Sequence, residues 1–417
     1  MSEQENMQAT AKLRRNRRTQ KQKGTQPPSL PLPANDDKEG WKVYWKAQGQ
    51  PWRTEPEIDA ERQTYLAERR SIVPDIKQGI YPFKDIRLNR ADVEWLLATH
   101  EKGRGPVNWG DESQRERDGL DLRGADLSQE DLSGLPLARM YGALALDEWE
   151  NATEEQRNMA VVCMKGADLR KAQLQAADLR EAQLQGADLR RVQLGGVYLK
   201  EATLSDEQYG PALLADVRWG EINLAVVDWM PVKMLGDEQV AHQKKYGAED
   251  IFHRGGTKDK QTRIDEYKVA VRANRQLAAV LRDQGLNEEA DHFAYRAQVL
   301  QRIVFRRQRK FGRYLFLGFL DLLAGYGYRP GRSVFWYLAT VCGFALAYHL
   351  LGQLSLFPPD AFVYSLTSFH GRGFFPGLEH RTSLHDPLIM LAAIEAVVGL
   401  FIEISFIATF TQRFFGR

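Results

Sequence analysis

Leucine recurs at every fifth position over long stretches of this 417-residue chain. A small residue, usually alanine, lies two positions before most of these leucines. A period of five matches neither the 3.6-residue turn of an α-helix nor the two-residue repeat of a strand. It is typical of a chain that turns a corner every five residues, with the leucine and the small residue pointing into a narrow core. The leucines form two runs: Leu122, Leu127, Leu132 and Leu137, then Leu169, Leu174, Leu179, Leu184, Leu189, Leu194, Leu199 and Leu204.

The triplets of this repeat resemble the pentapeptide-repeat family, whose pattern is A-(D/N)-L-x-x. The matching triplets include Ala167-Asp168-Leu169, Ala177-Asp178-Leu179 and Ala187-Asp188-Leu189. The resemblance implies a right-handed quadrilateral β-helix with about twenty residues per coil, as in other stacked repeats. We expect it to cover residues 119–230. An insertion at 138–163 interrupts it, where Thr153 and Gln156 form a capping-box pattern that predicts a short helix near 154–162.

The segments on either side of the repeat differ in composition. Residues 1–40 are basic and Pro-rich, which is typical of a disordered tail. Residues 41–118 are rich in aromatic residues and predict a small subdomain that caps the first coil, since a solenoid end would otherwise expose core and strand edge.

Residues 231–313 predict a helical linker. Ile264–Arg282 and Glu288–Arg309 have the pattern of an αα-hairpin, with Gly285 as the helix stop and Asn287 as the next N-cap.

Charge and motifs exclude several classes of function. The net charge is only +2, and Lys165–Leu204 carries seven basic and five acidic residues. Some pentapeptide-repeat proteins resemble DNA through an acidic surface, so that role and a nucleic-acid partner are disfavoured here. We found no HExxH, phosphate-binding loop, paired CxxC or catalytic triad, so we expect neither an enzyme nor a bound cofactor or metal.

Two apolar stretches predict a membrane domain over residues 314–417. Ser333–Gly352 has no formal charge, and Pro387–Thr411 carries only Glu395 and Glu403. About twenty residues span the hydrocarbon core, so we expect two spans, at 333–352 and 387–411, in the cell membrane. Basic residues precede the first span and follow the second, which predicts cytoplasmic N- and C-termini.

Residues 358–377, between the two spans, have the pattern of a pore loop. A short helix starting at Pro358 leads into glycine-spaced residues, and such irregular backbone is tolerated in a membrane where it lines a watery cavity. The segment resembles the two-transmembrane pore-loop superfamily, the potassium-channel-like group. The resemblance implies a homotetramer and a filter formed by Thr367, Ser368, Phe369, His370, Gly371, Arg372 and Gly373.

The filter departs from the potassium pattern, which reads Thr-Val-Gly-Tyr-Gly. Phe369 and His370 replace the first two residues, and Arg372 replaces the tyrosine. Rings of arginine favour anions, whereas the C-terminal ends of pore helices favour cations. The sequence leaves the sign of the permeant ion open. Gly325-Tyr326-Gly327 copies a potassium filter but precedes the first span, so we interpret it as a turn.

Three residues of the second span are candidates for pore lining or a gate. The resemblance implies that Gly399, in mid-helix, serves as a gating hinge. Glu395 and Glu403 are costly in lipid and should face protein or water. They line the pore, form a pH-sensitive contact, or form a polar contact between helices.

These patterns favour one function and leave a second open. The first is an ion channel whose cytoplasmic solenoid acts as a sensor or docking surface for an unknown protein or ligand. The alternative is a membrane-anchored pentapeptide-repeat scaffold for protein–protein interaction, whose loop conducts nothing. A plain anchor needs neither a pore helix nor a glycine-spaced segment, which favours the channel.

Overall fold

The computed structural model describes residues 31–245, 256–351, 358–371 and 387–415. Residues 1–30 of the predicted tail (1–40), and Arg372 and Gly373 of the predicted filter, lie outside the described residues.

The segment before the repeats contains three longer helices: α1 (Lys38–Ala47), α2 (Ala60–Arg70) and α3 (Arg90–Ala98). A short helical turn at His100–Gly103 and a 3-10 turn at Glu112–Gln114 follow them. A capping box at Asn89 and Asp92 starts α3. Arg87 forms a parallel bridge with Asp126 of the first coil. Apolar residues of this segment share one continuous hydrophobic cluster with the repeat leucines, including Phe83, Leu88, Val93 and Leu96. The subdomain therefore packs on the first coil.

Repeat residues pair through isolated parallel bridges rather than through long strands. The bridges whose first residues run from Cys163 to Gln183 each join residues twenty positions apart, and successive bridges are five positions apart. The next two, Asp188 with Leu213 and Gln193 with Arg218, join residues twenty-five positions apart, across residues 205–211. The bridged pairs include Cys163 with Gln183, Asp168 with Asp188, Gln173 with Gln193, and Asp178 with Tyr198. One coil therefore takes twenty residues and carries four pairing positions. Because the chain turns every five residues, about one residue between successive turns pairs with the neighbouring coil.

The repeat leucines fill the centre of the coil, as the five-residue period predicts. None of them is more than 4% exposed, and the alanines that precede them are equally buried. Within the described residues, extended strands are limited to β1 (Ser205–Asp206) and β2 (Gly210–Pro211), which pair antiparallel. Backbone hydrogen bonds connect neighbouring coils, for example from the Leu169 amide to the Asp188 carbonyl at 2.9 Å.

The corners of the coil require a left-handed backbone. From Leu122 to Leu199, the residue two positions after each repeat leucine has φ between +54° and +74°, whether or not it is glycine. Examples are Gly124, Gln129, Gly134, Arg139, Lys171, Ala176, Glu181, Gly186, Arg191, Gly196 and Glu201. A β-carbon disfavours this conformation by about 1–2 kcal/mol. The core therefore stabilises several non-glycine corners against their local preference.

Two helices form the excursion from the repeat: α4 (Leu146–Asn151) and α5 (Glu154–Ala160). The capping box at the start of α5 is present. The Thr153 amide donates to Gln156 Oε1 at 2.9 Å, and the Gln156 amide donates to Thr153 Oγ1 at 3.2 Å. Tyr141 bridges to Asp178 and Cys163 to Gln183, so the excursion is shorter than the predicted 138–163.

After the repeats come α6 (Gly236–His242), α7 (Lys260–Asp283) and α8 (Asn287–Arg307). Helices α7 and α8 form the predicted hairpin, and Gly285, with φ +79°, ends α7. The prediction of Asn287 as N-cap was wrong, because α8 begins at that residue and its cap is Leu286. The Leu286 amide donates to the Leu281 carbonyl at 2.9 Å, which closes the turn one residue earlier.

The hairpin covers the last coil. The Leu224 amide donates to Gln284 Oε1 at 2.7 Å, and the Asp216 amide donates to Gln276 Oε1 at 3.0 Å. The ring of Phe293 lies edge-on to Trp229, with 5.9 Å between centroids. Amides that would face water at the end of the solenoid are therefore satisfied by glutamine side chains.

Four helices form the apolar domain: α9 (Phe311–Ala324), α10 (Pro330–Leu351), α11 (Pro358–Phe369) and α12 (Pro387–Phe415). Two segments are long and apolar enough to cross a membrane, Gly331–Leu351 with mean hydropathy 1.6 and Pro387–Thr411 with 2.2. Little of either segment is buried within the protein, unlike a core helix of a soluble protein. Gly325–Gly327 forms the predicted turn, with Tyr326 at φ +57°.

Candidate pore-loop site

Helix α11 returns along α10 and lies between the two long helices. The ring of Tyr364 meets Tyr348 edge-on, near the end of α10, with 4.6 Å between centroids. Further along α11, Phe369 meets Tyr337 at 4.9 Å. The chain therefore runs back past the middle of α10, and we call α11 the re-entrant helix.

Local sequence explains where the re-entrant helix begins and ends. Pro358 lies at its first position, where a missing amide proton costs nothing, and Asp360 complements the positive end of the helix dipole. Gly371 takes φ +64°, and its amide donates to the Ser368 carbonyl at 2.9 Å. The Thr367 hydroxyl donates within the helix to the carbonyl of Tyr364 at 2.9 Å.

The last carbonyl of the re-entrant helix lies against α12. A β-carbon at Gly399 would collide with the Phe369 carbonyl oxygen and crowd its ring. The Phe369 side chain is 1% exposed and packs with Val341 and Ile402. Phe369 was predicted as a filter residue, but its ring and carbonyl are both engaged inside one chain. Within one chain Phe369 therefore packs against α12, and Gly399 provides the space for it.

Glu395 lies in a buried network that joins three helices. Its side chain is fully buried. The Tyr348 hydroxyl donates to Glu395 Oε2 at 2.6 Å, and the Ser365 hydroxyl contacts Glu395 Oε1 and lies 2.9 Å from the Val341 carbonyl. Because α10, α11 and α12 enclose Glu395 in one chain, this environment favours a polar contact between helices over pore lining or a gate.

Glu403 lies beside the end of the re-entrant helix and contacts His370. His370 Nδ1 contacts Glu403 Oε1, and the Tyr337 hydroxyl lies 3.4 Å from His370 Nε2. The His370 and Glu403 side chains are 39% and 35% exposed. Two of the predicted site residues thus come together on an accessible surface. Sequence reasoning missed Tyr337 and Tyr348, because nothing in their spacing marks them as partners.

The predicted filter residues have different environments. Ser368 is buried, whereas Thr367 is half-buried and Gly371 is exposed. Among the described residues, no group of three histidine, cysteine, aspartate or glutamate side chains is positioned to hold a metal ion.

A second candidate site is a cleft on the solenoid, which we call the solenoid cleft. It has a volume of about 490 Å³ and lies between α5 and one face of the coil. Its lining is polar: Glu154, Arg157, Asn158, Lys165, Glu181, Gln183, Gln185, Glu201 and Thr203. Trp149 positions the lining residue Glu181, because its Nε1 donates to Glu181 Oε1 at 2.7 Å.

The aspartate before a repeat leucine and the arginine after it pair with each other, at the surface or, for Asp178 and Arg180, buried. Arg170 contacts Asp168, Arg190 contacts Asp188, and Arg180 Nη1 lies 2.6 Å from Asp178 Oδ2. These pairs neutralise the surface locally, in contrast to an acidic mimic of DNA.

Comparison with known proteins supports the repeat assignment. Residues 167–206 match the family model of pentapeptide repeats in eight copies. The match covers the longer leucine run, from Leu169 to Leu204. No curated protein matches the chain.

Three solved structures are similar to part of the chain, and two of them are described as pentapeptide-repeat proteins. HetL, involved in heterocyst differentiation regulation in the cyanobacterium Nostoc, is 28% identical over 25% of this chain and 38% of its own, with a TM-score of 0.16. The plasmid-mediated fluoroquinolone resistance protein QnrB1 is 15% identical over 27% of this chain and 84% of its own, with a TM-score of 0.10. A thylakoid-lumen protein of Arabidopsis thaliana is 19% identical over 35% and 89%, with a TM-score of 0.11.

Proposed function

We propose that the chain is one subunit of a membrane ion channel of the two-transmembrane pore-loop type. The observation that carries the proposal is the re-entrant helix, which returns between two apolar helices and ends beside Gly399. An anchor that only crosses the membrane twice gains nothing from such a helix. A pore requires one, because its C-terminal dipole and the irregular chain after it face the permeant ion.

The accessible residues of the site give the proposed pore its chemistry. His370 and Glu403 lie together at the end of the re-entrant helix and would line the path that four copies enclose. Residues Arg372 and Gly373 would follow them in the filter. A partly exposed imidazole and carboxylate, with Arg372 nearby in sequence, favour a filter without potassium selectivity, either non-selective or permeable to anions.

The exposed side of α12 provides a surface for neighbouring subunits or lipid. It is apolar along its length: Met390, Ile394, Val397, Leu400, Phe401, Ile404 and Ile407. We propose that this side packs in a homotetramer. We also propose that both termini lie on the cytoplasmic side, and that the repeats form a right-handed, four-sided β-helix there that senses or docks a partner.

The decisive experiment is reconstitution of the full chain in a planar bilayer. We expect unitary currents, and a reversal potential in asymmetric KCl that gives the sign of the ion. Arg372→Ala should shift that reversal potential, and His370→Ala should change the conductance. The matched control is His349→Ala, because His349 lies on α10 outside the loop. Absence of current at every voltage and pH, together with a monomeric state in native mass spectrometry, would refute the channel.

A membrane-anchored scaffold is the second candidate, and the solenoid cleft favours it. A polar cleft of about 490 Å³ is large enough for a short peptide. In that case the apolar helices would hold the repeats at the membrane and Arg157→Ala would abolish partner binding. The same variant would leave any current of the unliganded protein unchanged.

A further inference from the structure

Four basic residues lie close together in the chain where α8 ends and α9 begins: Arg306, Arg309, Lys310 and Arg313. All four are exposed. Within the described residues, none of them forms an ion pair with an acid, whereas the nearby Arg302 and Arg332 both bind Asp321. The four cations therefore form an unneutralised patch, which we call the basic patch.

The basic patch adjoins an exposed apolar side of α9. Its residues are 41–67% exposed and lie on one side of the helix: Phe311, Leu315, Phe316, Phe319 and Leu322. Exposed aromatic and leucine side chains at this density are unfavourable in water and mark an interaction surface. A basic helix with such a side is typical of a segment that lies in a membrane interface.

Contacts with both long helices fix α9 beside the membrane domain. Trp336 Nε1 donates to the Leu322 carbonyl at 2.8 Å, and the Ser333 hydroxyl donates to the Leu323 carbonyl at 3.1 Å. The ring of Phe319 meets Phe401 of α12 edge-on at 6.0 Å. The apolar side of α9 is therefore continuous with the surfaces of the two candidate spans.

We propose that the basic patch and the apolar side of α9 form one binding surface for anionic phospholipids. The guanidinium groups bind the headgroup phosphate, because their paired N–H donors match two phosphate oxygens. The apolar side chains contact the upper part of the acyl chains. Charge complementarity and continuity with the spans select a lipid over a second protein. The proposal rests on the membrane placement of α10 and α12 and is independent of conduction.

The test is native mass spectrometry of the full chain in detergent with added phosphatidylglycerol or phosphatidylcholine. We expect selective retention of phosphatidylglycerol, lost in the variant Arg306→Gln, Arg309→Gln, Lys310→Gln, Arg313→Gln. Each cation near an anionic surface contributes about fivefold, so affinity should fall by at least about tenfold. Free glycerol phosphate should not compete, because it lacks the acyl chains.

The matched control removes the same charge elsewhere, with Lys102→Gln, Lys171→Gln, Arg218→Gln and Lys233→Gln, all exposed on the solenoid and its flanks. It should retain phosphatidylglycerol as the parent does. Equal loss of phosphatidylglycerol in both variants would show a general charge effect and refute the proposed lipid site. Equal retention of phosphatidylglycerol and phosphatidylcholine by the parent would also refute it. Because lipid binding is read without current, a silent bilayer experiment would refute the channel and leave this surface standing.

Discussion

The carbonyl oxygen of Phe369 occupies the space in which a side chain at residue 399 would start, so glycine at that position lets the re-entrant helix approach α12. A hinge glycine and a packing glycine respond differently to substitution. A hinge tolerates a methyl group in the resting state, whereas a packing glycine does not.

We expect Gly399→Ala to lower the melting temperature of the full chain in detergent by several degrees. The added methyl group must displace backbone rather than a flexible side chain, which costs about 1–3 kcal/mol. Gly343→Ala is the matched control, because it lies in α10 with open space around its α-carbon. An unchanged melting temperature for Gly399→Ala, with altered gating, would restore the hinge interpretation.

Substitutions at Glu395 should act through stability. Glu395→Ala leaves the Tyr348 and Ser365 hydroxyls without their common acceptor, at a cost of about 1–3 kcal/mol. Glu395→Gln keeps one acceptor oxygen and should retain most of the stability. Thermal unfolding in detergent measures both. If Glu395 faced a pore instead, both variants would melt like the parent and differ only in conductance.

Two corner glycines allow the cost of a left-handed backbone to be separated from the cost of a steric clash at the added β-carbon. Gly134 and Gly186 both have a left-handed backbone, with φ of +70° and +68°. Gly134 has open space around it, whereas a β-carbon at Gly186 would lie 2.5 Å from the Tyr209 carbonyl oxygen. We expect Gly134→Ala to cost about 1 kcal/mol and Gly186→Ala at least twice as much. Equal losses in chemical denaturation would contradict the contact with Tyr209.

Asp237 should make the stability of the solenoid depend on pH. Burial raises the pKa of Asp237 to about 6, although the Leu214 amide donates to its Oδ2 at 2.7 Å. Between about pH 4 and pH 6 the folded state therefore binds more protons than the unfolded state. The free energy of unfolding then falls as pH rises through this window.

Asp237→Asn removes this dependence. Relative to the parent, the variant should gain roughly 1–3 kcal/mol between pH 4.5 and pH 7.5, measured by melting with tryptophan fluorescence. Asp283→Asn, at an exposed position after the same repeats, is the control. A parent and variant that differ by the same amount at both pH values would rule out a buried, protonated Asp237.

Sequence reasoning predicted the elements that local pattern specifies. The leucine period, the capping box at Thr153 and the hairpin stop at Gly285 are all local signals. The left-handed corners could not be predicted from the sequence. Residues as different as Lys171, Ala176 and Glu181 adopt this conformation because packing of the leucine core stabilises it.

The environment of each membrane residue could not be predicted. Glu395 and Glu403 lie eight positions apart and look equivalent in sequence, yet one is enclosed by three helices and the other is accessible. Their difference depends on where the re-entrant helix ends relative to α12. That position is set by the contact with Gly399, which joins residues thirty positions apart.

Both ends of the solenoid are covered, the first by the subdomain that carries Phe83 and the last by the hairpin that carries Phe293. Repeat coils of different molecules therefore cannot stack end to end, and growth into a fibre by strand addition is blocked. The solenoid therefore offers a partner the sides of its coils and not their ends, whatever that partner is.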